Sequence, residues 1–151
     1  MKTPPRSHDD ALALLPHGPE FRFIDKITEL HPGRSGVGLY TLTGNEAFLK
    51  GHFPGNPLLP GVLLVEAAAQ LAGIVAQTAT DHKPLPNLRL TAIRAAKILD
   101  SPRPGDTITI SASIVGRVGA LVQAHTEIAL ADRTIMASDV VLSGTADPPG
   151  T

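Results

Sequence analysis

The sequence predicts an α+β domain in which a strongly curved, mostly antiparallel sheet wraps around one long central helix. The first observation is an apolar run at residues 61–80, which is too long for an ordinary strand and is rich in good helix formers. The second is the order of the other segments: one helix and two or three strands precede this run, and four strands follow it. Such a sheet has an open edge, and the pairing of edges between subunits is a common way to cover it.

The central helix carries a single charged side chain, Glu66, between residues 61 and 80. A helix that is apolar on nearly every side lies in a protein core or in a membrane. Glu66, Gln70 and Gln77 interrupt the run and the chain has no second apolar segment, which favours a core helix over a membrane span. A buried carboxylate is costly unless it is paired or protonated. Glu66, which shares a helix face with Gln70, is therefore either a structural hydrogen-bonding group or a functional one.

The other elements are predicted from local patterns. Ser7 is a suitable N-cap for a short helix at residues 8–15, and the alternation at residues 107–115 is typical of a half-buried strand. The predicted strands are residues 21–30, 37–43, 88–99, 107–115, 120–130 and 134–142, with turns at 31–33 and 116–119. Neither a repeat nor a domain boundary is visible, so residues 1–151 are predicted to form one domain with flexible tails at 1–6 and 146–151.

Length and composition exclude several classes of function. The chain has 151 residues, a net charge of −1, four Phe, one Tyr and no Trp, so it lacks both the charge and the aromatic platforms typical of nucleic-acid-binding proteins. The absence of cysteine excludes disulfides and thiolate chemistry, and the six histidines show no metal-ligand spacing. The first residues lack the apolar core of a signal peptide, so a cytoplasmic location is expected.

Candidate chemistry lies around the start of the central helix. His52 belongs to a loop rich in glycine and proline that precedes the helix. A histidine with a carboxylate partner such as Glu66 moves protons near neutral pH. The unpaired backbone N–H groups of Gly61 and Val62 are suited to stabilise an enolate oxygen. From the residues alone, His52 is also compatible with a loop histidine bonded to backbone, and His17 is interpreted as structural.

Five segments together resemble the bacterial 3-hydroxyacyl-acyl-carrier-protein dehydratases of the FabZ type. They read LPH at residues 15–17, FID at 23–25, GHFPGNP at 51–57, PGVLLVEAAAQ at 60–70 and PGD at 104–106. The resemblance covers residues 12–143, and the agreement of two spaced motifs, the histidine loop and the helix start, makes it specific. It implies a hot-dog fold, in which a curled sheet surrounds a long helix. It also implies a homodimer, often assembled into a trimer of dimers.

The resemblance further implies a reaction. The family dehydrates (3R)-3-hydroxyacyl groups on acyl carrier protein to trans-2-enoyl groups, in fatty-acid or related acyl-chain biosynthesis. Its active site lies at the dimer interface, where His52 of one subunit would face Glu66 of its partner. His52 would remove the proton beside the thioester carbonyl, and Glu66 would assist protonation of the departing hydroxyl. The implied oxyanion and substrate-binding residues are Gly61, Phe53, Val62 and Gln70. Neither a metal nor a redox cofactor is implied, since the substrate is carried on the phosphopantetheine of acyl carrier protein.

The same resemblance makes acyl carrier protein, an acidic protein, the expected partner. The candidate docking residues are Arg94, Lys97 and Arg103. Two departures from the family pattern bear on this docking: GPE at residues 18–20 stands where an aromatic and a basic residue are usual, and LDS at 99–101 dilutes a basic run. The catalytic pair is unaffected, and Glu66, where the isomerising relatives carry Asp, favours dehydration without isomerisation.

Two alternative functions stay open at this point. A hot-dog acyl thioesterase would use the same carboxylate to activate water, and it would release free thiol. A non-catalytic dehydratase-like module would bind acyl chains or a partner enzyme without turnover.

Overall fold

The computed structural model describes residues 5–145 and consists of a six-stranded antiparallel sheet curled around one long helix. The helices are α1 (His8–Leu12) and α2 (Gly61–Gln77), and the strands are β1 (Lys26–His31), β2 (Ser35–Thr41), β3 (Arg89–Ile98), β4 (Thr107–Val118), β5 (Leu121–Leu130) and β6 (Arg133–Ser143). The strand order is β1-β2-β4-β5-β6-β3. The predicted α+β architecture is confirmed.

Helix α2 is the centre of the core, as its composition predicts. Leu64, Leu71 and Val75 are completely buried, and the helix packs against strands β2 to β6. The inward residues of the strand predicted at 107–115 include Ile108 and Ile110, which are also fully buried. Full burial of such a side chain contributes roughly 1.5–3 kcal/mol, so the contact between helix and sheet stabilises the fold.

The C-terminal end of α2 is capped by the turn between β1 and β2. The N–H of Gly33 donates to the carbonyl of Val75 at 3.0 Å and to Thr78 Oγ1 at 3.3 Å. Gly33 has φ +72°, and a Cβ at this position would lie 2.8 Å from the Cβ of Ala79. Only glycine fits this approach. The helix therefore ends at Gln77, three residues before the predicted end.

The strand predicted at residues 21–30 begins too early. Phe21 belongs to a short 3₁₀ turn, and β1 starts only at Lys26. Phe23 and Ile24 are neighbours in the sequence and are both buried, at 2% and 3% exposure, which is not the alternation of a half-buried strand. The physical reason is that the N–H of Phe23 donates to a side chain, Gln70 Oε1 at 3.0 Å, instead of to a neighbouring strand.

Two other predicted boundaries also change. Ser7 caps α1 as predicted, accepting from the N–H of Asp10 at 3.0 Å, but the helix ends at Leu12. The turn predicted at 116–119 is shorter, because β4 continues to Val118 after a register shift between Ile114 and Gly116. The tails predicted at 1–6 and 146–151 fall largely on residues 1–4 and 146–151, which lie outside the described residues. Among residues 5–145, no helix has the length and apolarity needed to cross a membrane.

Strand β3 forms one edge of the sheet and pairs only with β6 within the chain. Nearly every residue of this strand is exposed. Ile93 and Ile98 are 51% and 43% exposed. An edge strand with free backbone groups and exposed isoleucines is suited to pair with another strand.

Candidate active site

A cavity of about 560 Å³ runs along one face of α2. The helix residues that line it recur at helical spacing, which places them on a single face. They are Glu66, Ala69, Gln70, Gly73, Ile74 and Gln77. The opposite side is formed by the segment before the 3₁₀ turn, the segment leading into β3, and Leu142 of β6. Glu66, Gln70 and His17 give the cavity a polar end.

The carboxylate of Glu66 is held by two neighbours within the same chain. Its Oε1 accepts a hydrogen bond from Gln70 Nε2 at 3.2 Å and lies 3.3 Å from His17 Nε2. The side chain of Glu66 is 21% exposed and lines the cavity. The expectation that Glu66 and Gln70 share a helix face is confirmed, and the carboxylate is both oriented and accessible.

Gln70 connects Glu66 to the segment that precedes β1. Its Nε2 donates to the carbonyl of Phe21 at 2.8 Å as well as to Glu66, and its Oε1 accepts from the N–H of Phe23. Gln70 is only 3% exposed. Because both atoms of its amide are hydrogen-bonded to protein groups, Gln70 has a fixed orientation and positions Glu66.

His17 is a residue whose position sequence reasoning missed. Its Nε2 reaches Glu66, while its Nδ1 is buried without a hydrogen-bond partner. Phe21 stacks on the ring with centroids 6.1 Å apart, and Arg22 Nε donates to the carbonyl of His17 at 2.7 Å. Nε2 must carry the proton to donate to Glu66. The LPH segment was the only signal in the sequence, because nothing in its spacing indicates a contact 49 residues along the chain.

His52 lies in a loop that is held by hydrogen bonds between its own residues. Its Nδ1 is 3.0 Å from the carbonyl of Leu58, and the N–H of Leu58 donates back to the carbonyl of His52 at 2.8 Å. The ring stacks on Phe53 with centroids 4.1 Å apart. A carbonyl only accepts, so Nδ1 carries a proton, and Nε2 of the neutral ring is a free base. His52 is not among the residues that line the cavity with Glu66.

Of the four predicted oxyanion and substrate-binding residues, Gln70 lines the cavity, whereas Gly61, Val62 and Phe53 are not among its lining residues. Gly61 begins α2 beneath Ile98, and a Cβ on this glycine would lie 3.1 Å from two atoms of that isoleucine. Val62 is 73% exposed. The N–H of Phe53 donates to the carbonyl of Asn56 at 3.1 Å. Gly61 at the helix N-terminus is therefore better suited than Phe53 to receive a developing negative charge.

The three candidate docking residues lie on the β3 side of the molecule. Arg94 and Lys97 are exposed on β3, and Arg103 Nη1 donates to Asn56 Oδ1 at 3.1 Å, which links it to the His52 loop. Asp100 pairs with Arg133 at 2.8 Å. Its hydrogen bond from the N–H of Ser101, together with this arginine, lowers the pKa of Asp100. Among the described residues, no group of three His, Asp or Glu side chains is placed to hold a metal ion.

Comparison with known proteins identifies the family of the chain. The model of the FabA-like domain matches residues 15–139. A protein of Geotalea uraniireducens named 3-hydroxyacyl-[acyl-carrier-protein] dehydratase FabZ is 42% identical over 71% of this chain and 74% of its own length. A protein of the same name from Clostridioides difficile is 42% identical over 68% of this chain and 71% of its own length.

Solved structures show the same fold at low sequence identity. The dehydratase heterocomplex ApeI:P from Xenorhabdus doucetiae matches with a TM-score of 0.75 at 13% identity, covering 97% of this chain and 94% of that chain. Zebrafish thioesterase superfamily member 2 matches with a TM-score of 0.71 at 11% identity, covering 95% and 100%. The predicted hot-dog fold is confirmed. With most of its length matched by the family model and by relatives of 42% identity, the chain belongs to the FabA-like family.

Proposed function

We propose that this protein dehydrates (3R)-3-hydroxyacyl groups on acyl carrier protein to trans-2-enoyl groups, in fatty-acid or related acyl-chain biosynthesis. The observation that carries the proposal is the oriented carboxylate of Glu66 at one end of a cavity that follows α2 and is lined by both apolar and polar side chains. The curated relatives of the family, which bear the name of this dehydratase, support it. The cavity fits an acyl chain, and the carboxylate fits a proton transfer next to the thioester.

The chemistry divides between a base and an acid. Nε2 of His52 accepts the proton from C2 of the substrate, and the electrons move toward the thioester carbonyl. The N–H of Gly61 at the start of α2 stabilises the enolate oxygen. As the electrons return, the C3–O bond breaks, and the protonated carboxyl of Glu66 delivers a proton to the departing hydroxyl. The products are water and the trans-2-enoyl thioester, and the proton left on His52 returns to Glu66 through solvent.

The separation of His52 from the cavity supports a site shared between two copies of the chain. Glu66, Gln70 and His17 line the cavity and His52 does not. The exposed edge strand β3 carries Ile93 and lies beside Gly61 through Ile98. We infer a homodimer, with a trimer of dimers as the larger form, in which β3 strands pair and His52 of one copy faces Glu66 of the other.

Acyl carrier protein is the proposed carrier of the substrate, with its phosphopantetheine arm entering at the dimer interface. Arg94, Lys97 and Arg103 lie on the side of β3 and form the proposed docking surface. No metal or redox cofactor takes part in the proposed reaction, because all proton transfers are made by side chains. We place this reaction in the cytoplasm, where acyl carrier protein is used.

The reverse reaction provides the test. Purified protein should hydrate a crotonyl thioester, on carrier protein or on a pantetheine mimic, so that the enoyl absorbance falls while no free thiol appears. His52→Ala and Glu66→Gln should each abolish the hydration without changing the circular dichroism spectrum. Release of thiol at the rate of enoyl loss would instead identify a thioesterase. Absence of turnover by folded wild type on both short and long chains would identify a binding module.

A further inference from the structure

The far end of the cavity is formed by Gln77. It lies eleven residues after Glu66 on the same helix face, which is about 16 Å along the axis at roughly 1.5 Å per residue. Both residues line the cavity. The cavity therefore extends from the reacting carboxylate to the last residue of α2.

The middle of the cavity is lined by apolar residues. Gly73, Leu88 and Leu142 lie side by side there, since a Cβ on this glycine would be 3.8 Å from a methyl carbon of each leucine, an ordinary van der Waals contact. Ile74 lines the same stretch. A glycine inside a helix is less favourable than an alanine. Its presence here keeps this part of the cavity open.

Gln77 makes two hydrogen bonds to one residue at this end of the cavity. Its Nε2 donates to the carbonyl of Leu85 at 2.7 Å, and its Oε1 accepts from the N–H of Leu85 at 2.9 Å. Leu85 itself lines the cavity. We call this pair of hydrogen bonds between Gln77 and Leu85 the clasp.

The segment that carries Leu85 is fixed by contacts with β4 and with the residues that follow β6. A Cβ on Gly144 would lie 2.7 Å from the Cβ of Leu85, so the two backbones approach closely. The N–H of Thr145 donates to the carbonyl of Pro86 at 2.8 Å. Arg117 Nη2 donates to the carbonyl of Lys83 at 2.9 Å. These contacts fix the Leu85 side of the clasp to the end of β6 and to β4.

We propose that the clasp is the closed end of the acyl-binding cavity and sets the longest acyl chain that the enzyme accepts. This inference rests on the proposed function, because an acyl thioester must occupy the cavity. With C–C bonds of about 1.5 Å in a zigzag chain, the 16 Å from Glu66 to Gln77 holds roughly ten to twelve carbons. A longer chain has to break the two hydrogen bonds of the clasp.

The experiment measures kcat/KM for hydration of trans-2-enoyl thioesters from four to sixteen carbons. For the wild type, the value should fall by about tenfold or more beyond roughly twelve carbons, since two hydrogen bonds are lost. Gln77→Ala removes the clasp and its bulk, and Gln77→Met removes the hydrogen bonds while it keeps a side chain of similar length. Both should raise the ratio of kcat/KM at sixteen carbons to that at four by about tenfold.

Two further variants bracket the result. Gly73→Val fills the middle of the cavity and should lower the ratio of twelve-carbon to four-carbon activity. Gln123→Ala is the matched control, because Gln123 is an exposed glutamine on β5, and its profile should equal that of the wild type. Circular dichroism and thermal melting confirm that each variant is folded.

The outcomes separate this inference from the proposed function. Wild-type activity on short chains with an unchanged length profile in a folded Gln77→Ala or Gln77→Met variant would overturn the inference alone. A wild-type profile that stays flat to sixteen carbons would do the same. Wild type without turnover at any length would end both proposals. A shift in the Gln77 variants to longer chains, with Gln123→Ala unchanged, would establish the clasp as the end of the cavity.

Discussion

The two proposed catalytic side chains are held in opposite ways. Glu66 lies on a buried helix, and its carboxylate contacts Gln70 and His17, side chains that reach it from one turn and from 49 residues away. His52 lies in a partly exposed loop and is oriented by the backbone of Leu58, six residues later in the same loop. The acid is thus positioned by the tertiary structure, and the base by a local turn.

This difference indicates what one copy of the chain contains. The cavity, the carboxylate and the residues that orient it all come from one chain. The His52 loop is complete in itself but lies outside that cavity, so it is suited to serve the cavity of another copy. The following predictions test this division, beginning with the largest expected effect.

The first prediction is that a His52 variant and a Glu66 variant, each inactive alone, restore activity when they form a mixed dimer. His52→Ala and Glu66→Gln should each lower kcat by about 10²–10⁴-fold, because each removes one proton-transfer group. When the two inactive variants are co-expressed, half of the dimers are mixed, and each mixed dimer has one intact site. Activity should therefore return to about one quarter of the wild-type value.

The control for this experiment is a mixture of either variant with a double variant that carries both substitutions. In that mixture no site has both groups, so no activity should return. If the His52→Ala and Glu66→Gln mixture also stays inactive although mixed dimers are present, both groups act within one subunit, and the division described above is incorrect.

The second prediction concerns His17, which contacts the carboxylate of Glu66 within the same chain. His17→Phe keeps an aromatic ring on Phe21 and removes the hydrogen-bond donor to Glu66, so kcat should fall by roughly tenfold, because the carboxylate that forms as Glu66 releases its proton loses one hydrogen bond. His17→Gln restores an N–H donor and should recover part of the loss. A merely structural role would give equal losses in the two variants.

A double-mutant cycle separates the contribution of His17 from general damage. If His17 acts through Glu66, then His17→Phe should cause little additional loss in a Glu66→Gln background. Additive losses of kcat in the double variant would show that His17 affects the reaction independently of the carboxylate.

The third and smallest prediction concerns a histidine that lies outside both the cavity and the His52 loop. On the outer face of the sheet, His125 Nδ1 lies 2.8 Å from Asp139 Oδ1, and this hydrogen bond holds the pKa of His125 above its ordinary value of 6.5. The protonated form is favoured in the folded state, so the stabilisation is present below pH 6.5 and is lost as pH rises through the raised pKa.

Asp139→Asn should therefore lower the free energy of unfolding at pH 5.5 by under about 1 kcal/mol, since both side chains are about half exposed. At pH 9 the variant and the wild type should melt at the same temperature, and kcat should be unchanged at both pH values. A loss of stability that is equal at the two pH values would mean that the charge of His125 does not contribute.

The sequence predicts the parts of this molecule that depend on local patterns. The burial of Leu64 on α2 and of Ile108 on β4 follows from the composition of the helix and the alternation of the strand. The prediction fails where a distant side chain replaces a local partner. Phe23 is not in a strand because Gln70 accepts its N–H, and sequence spacing alone contains no sign of that contact.

The candidate site shows the same division. Glu66 and Gln70 are one turn apart, so their contact is predictable from the period of the helix. His17 reaches Glu66 only through the folding of the segment before β1, and its interpretation as a structural residue did not include this contact. The roles assigned to His52 and Gly61 stay predictions that the variants described above test.

The turn at Gly33 makes the end of α2 depend on a hairpin that is synthesised before the helix. The N–H of Gly33 caps the carbonyl of Val75 at the end of α2. Ribosomes synthesise the β1–β2 hairpin before the helix, so the Gly33 donor is already made when Val75 emerges. In a circular permutant that places the hairpin after the helix, the Val75 carbonyl would have only its bonds from Thr78 until the hairpin is made.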